Sequence, residues 1–175
     1  MDIKIQCCGF AILVFITYFC LRQKSIGTHS GNIEKIGERV FEKTCQFIVE
    51  KNIAQYGIEY IEINLSVKQC ESPDFADKYI GIMEKYGGNP SLINLEVTET
   101  ASLGQKEILI NNMQKLIEYG VTFSLDDFGN GQSNLNYIVD MPVKIVKFDR
   151  DMTKAYFEKE KGRFVMNATI QMTGR

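Results

Sequence analysis

Residues 92–127 read LINLEVTETASLGQKEILINNMQKLIEYGVTFSLDD, and the hydrophobic period changes twice along them. Ile93, Leu95 and Val97 alternate with Leu92, Asn94 and Glu96, the period of two that a strand presents to two faces. Ile108, Leu109, Met113, Leu116 and Ile117 then recur at helical spacing, and Gly120 closes that stripe. Val121, Phe123 and Leu125 alternate in turn with Thr122, Ser124 and Asp126. Strand, helix and strand in direct succession predict a right-handed crossover between parallel strands.

The same alternation continues on both sides. Toward the amino end, Ile33, Ile36, Val40, Phe41, Cys45, Ile48 and Val49 form a helical stripe between Asn32 and Asn52. Tyr60–Leu65 (YIEINL) alternates as a strand, and Phe75, Tyr79, Ile82, Met83 and Tyr86 make a helix face ended by Gly87-Gly88. Toward the carboxyl end, a short helix is expected around Asn134–Val139 and a strand at Val143–Asp149 (VKIVKFD). A single helix from about Asp151 to Met172 is expected to follow. This order predicts an α/β fold of parallel strands joined by crossover helices. A closed (β/α)8 barrel takes roughly 250 residues. The 175 residues here therefore leave no room for a full barrel.

Composition narrows the function. A net charge of −2, 45% apolar and 24% charged residues are those of a globular domain, and wholesale disorder is excluded. Without a basic block or a tryptophan, nothing points to a nucleic-acid polymer as partner. Cys7, Cys8, Cys20, Cys45 and Cys70 lack Cys-x-x-Cys spacing, and His29 is the only histidine, which argues against structural zinc and for free thiols in a reducing compartment. From Cys7 to Leu21 the chain carries no charge, and the apolar stretch extends over residues 3–21 if Lys4 reaches the headgroups. Arg22 and Lys24 follow, with no signal-peptide arrangement. The expectation is an amino-terminal hydrophobic helix that tethers the chain to a membrane, with the remainder in the cytoplasm. Residues 1–31 thus read as anchor and linker, and 32–175 as the folded domain.

Strands of a parallel sheet are ordinarily buried on both faces and apolar throughout. Here each strand carries a polar group at or near its carboxyl end: Asn64, Glu96, Asp126 and Lys147. In parallel α/β folds those ends are where active sites lie. Glu96, Asp126 and Asp127 are hard oxygen donors for Mg2+ or Mn2+, and Asn64 adds a carbonyl oxygen. Two adjacent aspartates can each serve one metal of a pair in phosphodiester cleavage, with Lys147 supplying positive charge. Asp126–Gly131 (DDFGNG) adds a glycine-bearing turn suited to a loop that closes over the site.

INLS (63–66), LEVTE (95–99), DDFGNGQSNL (126–135) and VKFD (146–149) together resemble the EAL-domain phosphodiesterases that hydrolyse cyclic di-GMP in bacteria. The resemblance runs from about Ile33 through the fourth strand. It implies a modified TIM barrel, here a partial TIM-like one, with cyclic di-GMP across the strand ends and two Mg2+ or Mn2+ ions. By that likeness Asn64, Glu96 and Asp126 would bind the first metal, and Asp126 and Asp127 the second. Lys147 would face the attacking water, Glu99 would brace the 126–135 loop, and Asp149 would support from behind. The family's Glu-Ala-Leu strand should precede Ile33, where no Glu-x-Leu occurs, and its Ala-Glu-Gly strand should follow the last helix, beyond Arg175. The expectation is an EAL-family chain that hydrolyses cyclic di-GMP weakly or not at all by itself. The alternative is a scaffold that binds cyclic di-GMP, a second copy of itself or an intact EAL partner without catalysis.

Overall fold

The computed structural model describes residues 33–98, 106–129 and 140–173. The elements, in order, are α1 (Ile33–Lys51), β1 (Ile61–Leu65), α2 (Val67–Cys70), α3 (Phe75–Tyr86), β2 (Ile93–Thr98), α4 (Lys106–Tyr119), β3 (Thr122–Phe128), β4 (Ile145–Phe148), α5 (Arg150–Glu158) and α6 (Glu160–Thr173). Short 3-10 turns at Ile53–Tyr56 and Pro90–Leu92 lead into β1 and β2. The expected short helix at 134–139, the amino-terminal apolar helix within 3–21 and Glu99 lie outside the described residues. Among the described residues no helix is long and apolar enough to cross a membrane.

All four strands are parallel and lie side by side in the order β1-β2-β3-β4. Period-two alternation gives the sheet one apolar face, built by Ile61, Ile63, Leu65, Ile93, Leu95, Val97, Phe123 and Leu125, every one of them buried. Helices cover it with their own stripes: Val40, Phe41, Cys45 and Ile48 from α1, Phe75, Tyr79 and Met83 from α3, and Leu109, Met113 and Leu116 from α4. Phe41 and Phe75 flank the Tyr79 ring with centroids 4.3 and 4.2 Å away, locking α1 to α3. Cys45 and Cys70 are free and buried in this core. Burial pushes the Cys45 thiol up to about 12, and the Cys70 thiol also upward, so both are inert apolar fillers.

The helices stop where the backbone can turn. Gly87 ends α3 at φ 69°, and both its N–H and that of Gly88 donate to the Met83 carbonyl, at 2.9 and 3.2 Å. The single helix expected over Asp151–Met172 is instead two, α5 and α6, broken at Lys159, whose backbone is extended (φ −131°, ψ 132°). The break lets α6 pack on α5 at close range, since a methyl group built on Gly162 would run into the Ala155 carbonyl. Periodicity alone carries no sign of it, because apolar spacing survives a one-residue interruption.

Candidate active site

The other face of the sheet is largely polar, with Ile145 of β4 the apolar exception among its described strand residues. Asn64 pairs with Glu96 across β1 and β2, Glu96 with Ser124 across β2 and β3, and Ser124 with Ile145 across β3 and β4. Glu62, Asn64, Asn94, Glu96, Thr122, Ser124, Asp126 and Lys147 therefore share one side of four adjacent strands. Asn94 and Ser124 are fully buried, and Glu96 nearly so. Buried polar atoms must bond one another, and these do. Asn94 Nδ2 donates to Thr122 Oγ1 at 2.9 Å, while Ser124 Oγ lies 2.7 Å from Asn94 Oδ1 and 2.9 Å from Glu62 Oε1.

Lys147 reaches into this network from β4. Its Nζ lies 2.6 Å from Glu62 Oε2 and 3.2 Å from Glu96 Oε1. Burial favours loss of its proton, but the bond to Glu62 and the charges of Glu96 and Glu62 outweigh burial and raise its pKa above the ordinary lysine value. Glu96 behaves oppositely to an exposed carboxyl. Burial, a hydrogen bond with Asp126, and the charges of Asp126 and Glu62 push it up to about 8, against the pull of Lys147. Glu96 thus holds its proton more firmly than an exposed carboxyl does, with Asp126 as its hydrogen-bond partner.

Asp126 takes its face by ordinary parity, whereas Asp127 owes its placement to an irregularity in β3. Leu125 pairs with Val146 and Phe128 with Phe148, so three steps along β3 match two along β4. The surplus residue is a β-bulge, with Asp127 in the left-handed region at φ 56°. A regular strand would send Asp127 onto the apolar face. The bulge leaves Asp127 exposed and returns Phe128 to the core against Phe148, with centroids 6.1 Å apart.

The structure thus brings Asn64, Glu96, Asp126 and Lys147 to one rim, with Asp127 beside them on the bulge. Asp149 serves locally: its Oδ1 accepts from the Asp151 N–H at 2.8 Å, capping α5. Glu62, the residue most intimately joined to Lys147, is absent from the set read off the sequence. Its parity with Asn64 was the available signal, but it sits three residues short of the strand's carboxyl end. Among the described residues no three acidic, histidine or cysteine side chains form a metal cluster. The donor chemistry still suits a hard cation, since a carboxyl pair that holds a proton can exchange it for a divalent ion and Asn64 offers an amide oxygen alongside. By donor type alone, Asn64, Glu96 and Asp126 are suited to a hard divalent ion.

Comparison with known proteins agrees with this architecture. The EAL domain family model matches residues 25–175. Cyclic di-GMP phosphodiesterase PdeA of Borreliella burgdorferi is 32% identical over 120 residues, which is 65% of this chain and 18% of that protein. The solved structure of the EAL enzyme Bd1971 with cAMP and cyclic di-GMP bound superposes with a TM-score of 0.70 at 25% identity, covering 86% of this chain and 42% of that one. Klebsiella pneumoniae BlrP1, solved as a manganese and cyclic di-GMP complex, shares the fold at 16% identity, with a TM-score of 0.68 over 83% of this chain and 37% of its own. The chain spans about a fifth of the length of the curated relatives it matches.

Proposed function

The chain belongs to the EAL domain family, and from that membership we propose that it binds cyclic di-GMP at the carboxyl ends of β1–β4 together with Mg2+ or Mn2+. The observation that carries this reading is the convergence of Asn64, Glu96, Asp126 and Lys147 on one face of four adjacent strands. Asn64, Glu96 and Asp126 would hold the first ion, and Asp126 with Asp127 the second. When bound, such ions would offset charge on the phosphodiester as it is cleaved. Lys147 would set its ammonium against a phosphate oxygen, Glu96 would give up the proton it holds, and Glu99 would brace the adjoining loop. In this reading residues 32–175 are the working domain, and the apolar stretch of 3–21 tethers it to the membrane.

Hydrolysis by the chain itself is proposed to be slow or absent, because residues 1–32 contain no Glu-x-Leu and a missing metal-binding carboxylate costs orders of magnitude in rate. Calorimetry of the purified chain with cyclic di-GMP and Mn2+ should give a binding isotherm that Asp126→Asn abolishes. Incubation under the same conditions should yield no more than traces of linear dinucleotide. No heat at high micromolar ligand sinks the binding reading, and rapid turnover sinks the claim of weak catalysis. A scaffold without catalysis is the second reading, favoured by the engagement of Lys147 with two carboxylates; its signature is binding that persists without metal ions and yields no linear dinucleotide, not even traces.

A further inference from the structure

Glu62 stands on β1 two residues before Asn64, on the same face and one layer further from the rim. Its side chain is 6% exposed. One carboxylate oxygen accepts from Ser124 Oγ at 2.9 Å and the other from Lys147 Nζ at 2.6 Å. Ser124 is tied in turn to Asn94, and Asn94 to Thr122, so bonds spanning three strands fix where that carboxylate sits. Lys147 starts nearer the rim. Ile145 pairs with Ser124, which puts the Lys147 backbone two residues beyond that level. Its ammonium is therefore folded back from the rim into the deeper layer, where Glu62 waits. The contact with Glu96 is longer, at 3.2 Å, and Glu96 is already engaged with Asp126.

We propose that Glu62 is a positioning residue that competes with phosphate for Lys147: its buried carboxylate holds the ammonium at rest, and an anionic ligand at the rim must draw it away. The inference rests on the reading of a phosphodiester site given above and adds a residue to it. A buried charge is stable only while paired, so Lys147 passes from one anion to another. Glu62 lowers the affinity of the rim for an anion and raises it for a cation, because it cancels the positive charge of Lys147.

The test is Glu62→Gln, which keeps the side-chain volume and the acceptor for Ser124 while removing the charge. In the chelated, ligand-free chain, a pulse of acetic anhydride read by mass spectrometry should acylate Lys147 about fivefold faster in the variant, the change expected for losing one partly buried ion pair. Lys115, half-exposed and paired with Asp77 across α3 and α4, serves as the internal standard and should not change. Titrated with cyclic di-GMP in Mn2+, the variant should bind several-fold tighter, whereas its affinity for Mn2+ alone should fall. A purely structural role for Glu62 would weaken both affinities together and overturn the proposal, as would unchanged labelling of Lys147. If the wild-type chain fails to bind cyclic di-GMP, the reading of the site falls, and the labelling arm still decides whether Glu62 restrains Lys147. Should Glu62→Gln not fold, Ser124→Ala removes one anchor of the carboxylate and must also speed Lys147 labelling; no increase overturns the proposal.

Discussion

Glu96 is a strand residue turned into a proton trap by its neighbours. In the unfolded chain its carboxyl titrates near 4.5, whereas in the fold it does so at about 8, because burial and Asp126 disfavour its charge. Between those values the folded state holds a proton that the unfolded state has released, so stability falls as pH rises through that window. In chelator, the melting temperature should accordingly be lower at pH 8 than at pH 5.5, and Glu96→Gln should flatten that slope. A slope that survives in Glu96→Gln assigns it to another group. The presence of Glu96 and Asp126 at one rim was legible from strand parity. Their contact was not, because Asp126 pairs in register with Thr98 and meets Glu96 only on the diagonal. The bulge at Asp127 was equally silent, since two consecutive acids look alike whether or not one of them is surplus to the ladder.

At the scale of elements, Asn112 shows how one polar residue can fasten a helix. It falls on the buried stripe of α4, where periodicity alone would ask for an apolar residue. Its amide donates to the carbonyls of Cys70 and Ser72, both at 2.8 Å, and its carbonyl accepts from the Ala76 N–H at 3.4 Å. Those bonds close off the end of α2 and the start of α3, where the Ser72 carbonyl also accepts from the Phe75 N–H at 3.1 Å. Replacing Asn112 by Leu should cost about 2–4 kcal/mol in urea unfolding, since three hydrogen bonds to the backbone are lost at once. A loss below about 0.5 kcal/mol would mean that water reaches those carbonyls. The main helices and all four strands were predictable from spacing, with ends within a few residues. The split between α5 and α6 depends on the packing of Gly162 against Ala155, a contact that no local pattern encodes.

Taken as a whole, the molecule is a sheet with two unlike faces. The apolar face carries the stability and the polar face carries the candidate site, so the two can be perturbed separately. Binding of a cation to the folded state alone adds stability by mass action. Mn2+ at about a hundred times its dissociation constant should raise the melting temperature by roughly 5–10 °C, and Asp126→Asn should erase that increment while leaving the metal-free temperature little changed. Equal stabilisation of wild type and Asp126→Asn would place the cation elsewhere. The core responds differently: Leu95→Ala, at a fully buried position, should cost about 2–5 kcal/mol with or without Mn2+.

The alternation of apolar and polar residues determined, without any coordinates, that parallel strands alternate with helices and that one face of the sheet would be polar. Those properties follow from backbone periods of 2 and 3.6, which are local. The family too was legible, because its motifs are short and contiguous. Which polar residues touch was decided only by tertiary structure. Registers between strands are set by packing of the opposite face, and they bring Glu62 and Lys147, 85 residues apart in the chain, to within 2.6 Å. A strand's own sequence says which side a residue takes; the neighbouring strands alone say what it meets there.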